Sequence, residues 1–190
     1  MARSLNPLAS LLPWRRKDPH AAEIYGAIVA RARLPVFYQG FGTPDTLEGR
    51  FVVLTLHLFA VLHRLKSGNA QSFQMAQELA DHFTADMETV LRELGISDLK
   101  IPKKVRGLTA SGAALLRDYE EALSRGEEAF TATIARTLPL EGTSADDAAS
   151  RLSAYLKEVL RYLEAEPIDD LCTGTLSLPP ASVDQEGTTI

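Results

Sequence analysis

The fold is decided by residues 36–66, which read VFYQGFGTPDTLEGRFVVLTLHLFAVLHRLK. Within this stretch, only Thr55 and His57 interrupt an apolar run from Phe51 to Leu62. A helix needs about 20 apolar residues to cross a bilayer, and this run is shorter. A helix that is apolar on all sides is buried by its neighbours in a soluble protein. The stretch therefore predicts a buried central helix surrounded by other helices.

The start of this helix is also marked in the sequence. Thr43 is predicted to be the N-cap, since a threonine oxygen can accept a hydrogen bond from a free N–H group of the first turn. Pro44 would then occupy the first helical position, where its missing N–H is not needed. Asp45 would lie beside the positive end of the helix dipole. The sequence thus predicts a helix that begins directly after Thr43.

The composition of the whole chain is that of a soluble globular domain. Its 190 residues are 45% hydrophobic and 24% charged, with a net charge of −5. A chain of this length commonly builds one domain, and its negative charge argues against DNA as a specific partner. Cys172 is the single cysteine, which excludes an internal disulfide and a cysteine-based zinc cluster. These features favour a cytoplasmic protein.

Helical periodicity continues on both sides of the central helix, and the sequence contains no strand candidate of useful length. Residues 18–170 are predicted to form a single compact, all-α bundle of about six helices. Residues 1–17 are predicted to be a flexible N-terminal segment, in which a leucine-rich stretch precedes three basic residues. Such a segment can contact an anionic membrane surface. Residues 171–190 have the composition of a disordered tail.

Other helix boundaries follow from capping residues. Asp18 and Pro19 are predicted to open the first helix, and Ser144 is predicted to cap the last. Gly95 is predicted to end the third helix in a Schellman arrangement, because glycine readily adopts the left-handed conformation. The third helix also carries a stripe of residues at three- and four-residue steps, which is expected to face the core. Its members are Phe73, Ala76, Ala80, Phe83, Met87, Val90 and Leu94.

Signs of catalysis are scarce in this sequence. The chain contains no phosphate-binding glycine loop, no dinucleotide fingerprint and no GxSxG motif. Glu78, His82 and Asp86 stand at i, i+4 and i+8, on one side of the third helix. Di-metal bundles require further carboxylate and histidine ligands on other helices, and the sequence shows no second set. Surface pairing is therefore favoured over a metal site.

A polar line runs along the apolar central helix, where Arg50, His57 and Arg64 recur every seven residues. A buried charge needs a partner, and Asp86 lies near enough to the core-facing side of the third helix to pair with one of the arginines. Two interpretations remain open. The line can form an interhelical salt bridge that fixes the register, or it can be a polar seam exposed for a partner. His57 is interpreted as a hydrogen-bonded core residue.

A basic cluster stands out against the acidic composition of the chain. Lys100, Lys103, Lys104 and Arg106 lie within seven residues. They can form a solvated helix start, although positive charge at that end opposes the helix dipole. An acidic protein, an RNA or a lipid headgroup would otherwise supply the counter-charge. The cluster is therefore a candidate binding surface.

Three aromatic residues, Phe37, Tyr38 and Phe41, lie in the predicted turn before the central helix. Binding residues are often carried on loops, so these rings could form an exposed lip beside a groove whose floor is the helix from Phe51 to Leu62. The alternative is that Phe37 and Tyr38 cover the core.

Six short motifs follow one another within residues 24–123. They are Pro44-Asp45-Thr46, Gly49-Arg50-Phe51, Leu56-His57, Asp86-Met87, Leu91-Arg92-Glu93, and Gly95 with Asp98-Leu99. This series resembles the ubiquinol–cytochrome c chaperone family, whose members are assembly factors of respiratory complex III. The resemblance implies an all-helical, non-catalytic protein that needs no cofactor and binds newly made cytochrome b or its assembly intermediate. For the mitochondrial relatives it also implies a small assembly partner protein and the ribosome as partners.

The function expected from this resemblance is a membrane-side chaperone that binds an amphipathic helix of its client in a groove. The chain shows no long organelle-targeting segment, which favours a bacterial cytoplasmic protein at the inner face of the membrane. Two alternatives remain: a peripheral membrane scaffold without a cytochrome b client, and a helical metal-dependent enzyme. The residues expected to bind a partner are Phe37, Tyr38, Phe41, Asp45, Arg50, His57, Asp86, Lys100, Lys103 and Lys104.

Overall fold

The computed structural model describes residues 18–182, and this part of the chain is all-α, as the sequence predicts. It contains six helices of 11 residues or more and two short helices of four and five residues. In chain order they are α1 (Pro19–Ala32), α2 (Val36–Gln39), α3 (Leu47–Lys66), α4 (Ala70–Glu93), α5 (Ile101–Arg125), α6 (Glu127–Thr137), α7 (Thr143–Ala165) and α8 (Ile168–Cys172).

Helix α3 lies at the centre of the bundle and contacts α1, α4, α5 and α7. All of its residues from Val52 to Val61 are buried, so the prediction of a buried central helix is confirmed. Full burial of one large apolar side chain stabilises the fold by about 1.5–3 kcal/mol, and this run is therefore a major part of the core. None of the helices within residues 18–182 is long and apolar enough to cross a membrane.

Helix α3 begins later than the sequence predicts. Thr46, and not Thr43, is the N-cap, because its side-chain oxygen accepts a hydrogen bond from the N–H of Gly49 at 3.1 Å. The preceding turn folds back on the helix, so that a Cβ atom at position 49 would lie 2.0 Å from the carbonyl oxygen of Pro44. Only glycine fits there without a shift of the backbone. This close approach places Pro44 outside the helix and leaves Leu47 as its first residue.

Two other helix ends are as predicted. Asp18 caps α1, since its side chain accepts a hydrogen bond from the N–H of His20 at 3.0 Å. Gly95 follows the end of α4 with φ of +73°, and the N–H of Ile96 donates to the carbonyl of Leu91 at 3.1 Å. This long-range bond is the one that defines a Schellman motif.

The last long helix starts without the predicted cap. Helix α7 begins at Thr143, directly after Gly142, which has φ of +62°. The helix has no side-chain cap, and the first backbone bonds run to the carbonyl of Gly142. Ser144 therefore lies inside the first turn. A left-handed glycine turn sets the start of α7, because it reverses the chain without a capping side chain.

The buried face of α4 differs from the predicted stripe at both ends. Phe83 and Met87 are buried as expected, but Phe73 is 72% exposed and Leu94 is 56% exposed. Helix α4 packs against α8, and Ile168 of α8 lies close to Gly68 together with Ser72. Ser72 is therefore on the buried side of α4 and Phe73 is not. Leu94 lies at the C-cap, beyond the packed part of the helix. The residues of α4 that are buried are Ser72, Met75, Glu78, Leu79, Phe83, Met87 and Leu91.

The described part of the predicted disordered tail packs on the bundle. Leu171 and Cys172 are buried in α8. Beyond them, the guanidinium group of Arg31 donates to the carbonyls of Leu178 and Pro179 at 3.0 and 2.9 Å. The sequence predicts a disordered tail from residue 171, and within it the structure shows these contacts of Leu171, Cys172, Leu178 and Pro179 with the bundle. Residues 1–17 and 183–190 lie outside the described part, so the predicted N-terminal membrane contact stays a prediction.

Candidate partner-binding surfaces

Two of the three aromatic residues predicted to form an exposed lip are in the core. Phe37 and Phe41 are 0% and 2% exposed. The ring centroid of Phe37 lies 5.0 Å from that of His57 and 5.2 Å from that of Tyr155. These four residues, Phe37, Phe41, His57 and Tyr155, are called the aromatic corner below. The exposed lip is therefore wrong, because α7 brings Tyr155 onto the turn and closes it.

Tyr38, the third aromatic residue, lies at the surface with Asp45 and Arg50. Its hydroxyl donates to the carbonyl of Ala32 at 2.6 Å, and the guanidinium carbon of Arg50 lies 5.4 Å from its ring centroid. The Nε of Arg50 donates to Asp45 at 2.5 Å, and both side chains are about half exposed. The predicted pair between Arg50 and Asp86 is therefore wrong. Arg50 stands at the exposed start of α3, where Asp45 is the nearer acid.

His57 is a hydrogen-bonded core residue, as the sequence predicts. It is 1% exposed. Its Nδ1 lies 2.8 Å from the carbonyl oxygen of Val53 and its Nε2 lies 3.1 Å from the hydroxyl of Tyr155. We therefore assign the proton to Nδ1, which donates to the carbonyl, while Nε2 accepts from Tyr155. Burial lowers the pKa of His57 to about 4, so the ring is neutral near pH 7. Both ring nitrogens are engaged in hydrogen bonds within the core.

Arg64 joins the end of α7 to α3. Its Nε donates to the carbonyl of Leu163 at 2.6 Å, and its Nη2 donates to the carbonyl of Glu166 at 2.9 Å. The last carbonyls of a helix have no partner within the helix, and a cation there is favourable. The predicted pair of Arg64 with Asp86 is therefore also wrong, because Arg64 is held by backbone carbonyls.

The three residues considered as metal ligands contact α1 instead. The side chain of Glu78 accepts a hydrogen bond from the N–H of Asp18 at 2.8 Å. The ring of His82 stacks on Tyr25, whose hydroxyl donates to Asp86 at 2.9 Å. Burial, helped by the Asp86 carboxylate, raises the pKa of Tyr25. Within residues 18–182, no group of three histidine, cysteine or acidic side chains is placed to hold a metal ion.

Two neighbouring clefts open beside the C-terminal part of α3 and share His63. We call them the His63 clefts. The first, of about 500 Å³, lies between α3 and α5 and includes Phe59 and Leu62. The second, of about 370 Å³, lies between α3, the end of α5 and α7. Its apolar members are Leu123 and Leu160, and its charged members are Arg64, Lys157, Arg161 and Glu164. The clefts therefore combine apolar walls with a charged rim.

An ion-pair group lines the first cleft. Glu120 lies 3.1 Å from the Nδ1 of His63 and 3.0 Å from the Nζ of Lys66. Burial raises the pKa of Glu120, but the hydrogen bonds and positive charges of Lys66 and His63 together lower it by more, so the pKa lies below its usual range. Glu120 is therefore ionised at neutral pH and holds α5 against the end of α3.

The predicted basic cluster is exposed at the turn between α4 and α5. Lys100, Lys103 and Lys104 lie on one side of the first turn of α5 and make no ion pair with the rest of residues 18–182. Leu94 and Leu99 are 56% and 93% exposed. We call these five residues the α4–α5 tip. Arg106 is also exposed in the second turn.

The structure thus separates the ten predicted site residues into groups. Phe37, Phe41 and His57 belong to the buried aromatic corner, Tyr38, Asp45 and Arg50 form a surface group, and Asp86 joins α4 to α1. None of them lines the His63 clefts. Sequence reasoning missed His63 because its neighbours come from three helices. Leu99 could have been found, since it lies between two helical patterns and no periodicity assigns it to the core.

Comparisons with known proteins place this architecture among related sequences. A family model described as ubiquinol-cytochrome C chaperone matches residues 39–178. A ubiquinol-cytochrome-c reductase complex assembly factor 1 from Xenopus laevis is 22% identical over 151 residues, which cover 80% of this chain and 76% of the relative. The Homo sapiens assembly factor of that name is 22% identical over 161 residues, which cover 84% of this chain. The match takes in 54% of the human relative, about half its length.

A solved structure shares the fold. The crystal structure of the Cbp3 homolog from Brucella abortus superposes with a TM-score of 0.77 at 34% sequence identity. The superposition covers 88% of this chain and 91% of the Brucella chain. The bundle described above is therefore similar to that protein over nearly its whole length.

Proposed function

The chain belongs to the ubiquinol–cytochrome c chaperone family, and on that premise we propose that it binds newly made cytochrome b and supports biogenesis of the ubiquinol–cytochrome c reductase complex. The observation that carries this proposal is the family match over residues 39–178, which span the chain from the end of α2 to beyond α8. The family is one of assembly factors, so the role proposed is binding and not catalysis. The proposed place of action is the inner face of the cytoplasmic membrane, where cytochrome b is inserted.

The His63 clefts are the surface that we propose for the client. Apolar helices dock in grooves that have apolar walls, and charged residues at the rim fix their orientation. Leu62, Leu123 and Leu160 are half-buried residues that supply such walls. Lys157 and Arg161 lie on the α7 side of the rim. A newly made apolar segment of cytochrome b would cover these leucines until its own neighbours are added.

The test is an affinity pull-down of the tagged full chain from its native membranes, read by mass spectrometry for cytochrome b. The cleft variant replaces Leu123 and Leu160 by glutamine. Its matched control replaces Leu34 and Leu47 by glutamine, because these leucines are exposed and lie outside the clefts. We expect cytochrome b with the unchanged chain and the control, and a loss of most of it with the cleft variant.

Two results would count against the proposal. Recovery of no respiratory subunit from cells that are assembling the complex would contradict the chaperone function itself. Equal recovery with the cleft variant and the control, both shown to be folded by their thermal unfolding, would contradict the assignment of the clefts while leaving the client in place.

A further inference from the structure

The α4–α5 tip concentrates positive charge in an acidic protein. Residues 92–106 contain five basic and two acidic side chains, a net charge of +3, whereas the whole chain carries −5. One of these acids, Asp98, lies 3.7 Å from Arg92, which also pairs with Glu88 at 2.6 Å. The three lysines at the start of α5 have no acid within ion-pair distance among the described residues. Their charge is therefore available to an external anionic group.

The same turn also exposes two large apolar side chains. Leu99 is 93% exposed directly before Lys100, and Leu94 is 56% exposed at the end of α4. The turn between them is a defined structure, because the N–H of Ile96 donates to Leu91 at 3.1 Å and the N–H of Lys100 donates to Ser97 at 2.8 Å. The leucines and the lysines are therefore exposed together on this turn and the helix start that follows it.

We propose that the α4–α5 tip docks on an anionic lipid surface, with Leu99 entering the headgroup layer and Lys100, Lys103 and Lys104 contacting lipid phosphates. Such a surface offers negative charge and apolar material within a few ångströms of each other, which matches the arrangement of the tip. The contact that we propose is peripheral, with the tip at the membrane surface. It needs no cytochrome b, so it stands or falls separately from the client proposal.

An RNA fits the tip less well than a lipid surface does. Proteins that bind single-stranded RNA stack bases on aromatic side chains, and residues 92–106 contain no phenylalanine, tyrosine or tryptophan. An RNA would also leave Leu94 and Leu99 in water. The lipid surface is the partner that covers both the lysines and the leucines.

The experiment is flotation of the purified full chain with two kinds of vesicle, one of phosphatidylcholine alone and one that also contains phosphatidylglycerol. We expect binding only to the vesicles with phosphatidylglycerol, weakening as salt is raised. A variant with Lys100, Lys103 and Lys104 changed to glutamine should bind on the order of 100-fold more weakly, because each lysine near the surface contributes about fivefold to the affinity. Leu99→Gln should weaken binding about fivefold, since its apolar side chain no longer enters the headgroup layer.

Two control variants separate the tip from general charge. Changing Arg33, Arg125 and Arg136 to glutamine removes the same charge from exposed positions elsewhere and should weaken binding less than about fivefold. Changing the three lysines to arginine keeps the charge and should preserve binding. All these side chains are exposed, so circular dichroism should show unchanged folding.

Three results of the flotation experiment would each overturn the proposal: equal binding to both kinds of vesicle, equal losses in the lysine variant and the arginine control, or displacement of the chain from vesicles by added RNA. If the lysine variant instead loses cytochrome b in the pull-down while vesicle binding is unchanged, the tip is a client surface and the lipid proposal is wrong.

Discussion

The aromatic corner and the α4–α5 tip begin from similar local sequence and end in opposite environments. Both place large apolar residues near charged ones between two long helices: Phe37 and Phe41 come shortly before Asp45, and Leu99 comes directly before Lys100. Yet Phe37 is 0% exposed and Leu99 is 93% exposed. The difference is that α7 supplies Tyr155 to the corner, whereas no described element covers Leu99.

The same bundle therefore contains a closely packed corner and an exposed tip. The corner joins the segment from α2 to α3 with α7 through rings and hydrogen bonds. The tip is built from side chains that the fold does not use. A side chain that packing does not need can be exposed to a partner at little cost in stability.

The largest effect is expected from Phe37→Ala. Removing a fully buried phenylalanine leaves a cavity and typically costs about 3–5 kcal/mol of unfolding free energy. The matched change at the tip, Leu99→Ala, should cost less than about 0.5 kcal/mol, because that side chain is already in water. Urea unfolding of both variants measures this contrast. Similar losses of unfolding free energy in the two variants would contradict the difference between the buried corner and the exposed tip.

The next effect is a pH dependence that belongs to the corner. His57 has a pKa of about 4 in the folded chain, against 6.5 as its ordinary value. Between these values the unfolded chain binds the extra proton, so stability is full above about pH 6.5 and falls as the pH is lowered toward 4, by about 3 kcal/mol. His57→Gln should remove this part of the slope in urea unfolding measured across the pH range. Identical slopes with and without His57 would contradict the account.

A smaller effect is expected where residues 171–182 pack on α1. Arg31→Ala removes two hydrogen bonds to the carbonyls of Leu178 and Pro179, at a cost of roughly 1–3 kcal/mol. We expect faster limited proteolysis near these two residues in this variant. Arg33→Ala, at an exposed position of α1's end, is the control and should cleave as the unchanged chain does. Equal cleavage of both variants would mean that Arg31 does not hold residues 171–182 on the bundle.

The smallest effect is expected at the surface pair of Asp45 and Arg50. Both side chains are about half exposed, and such pairs contribute little because water and salt screen them. Asp45→Asn should change the unfolding free energy by less than about 0.5 kcal/mol. A loss several times larger would mean that this ion pair stabilises the fold as strongly as buried contacts of the corner do.

The features that sequence predicted well depend on contacts within a few residues. The N-cap at Asp18, the Schellman end at Gly95 and the apolar run of α3 each follow from local backbone or side-chain chemistry. Even so, the sequence predicts Thr43 as the cap of α3, whereas Thr46 caps it in the structure, where Pro44 approaches Gly49 closely. The spacing of residues along the sequence does not predict that close approach.

The features that sequence missed depend on partners far along the chain. Asp86 meets Tyr25 and not an arginine. Helix α4 packs against α8 and buries Ser72, whereas Phe73 is exposed. The His63 clefts are likewise formed by residues from three helices. For this reason most of the predicted site residues are buried in the core or are paired with a neighbour at the surface. The lysines are exposed as predicted, because exposure requires no contact with a distant residue.

We propose that the His63 clefts bind newly made cytochrome b, and site-specific photocrosslinking in cells that are assembling the complex would detect this contact. A photoreactive residue is placed at position 160, which lines the second cleft, or at position 34, which does not. We predict a crosslinked product with cytochrome b from position 160 and none from position 34. A crosslink to cytochrome b from position 34 alone would contradict this proposal. The absence of a crosslink to any respiratory subunit from either position would also contradict it.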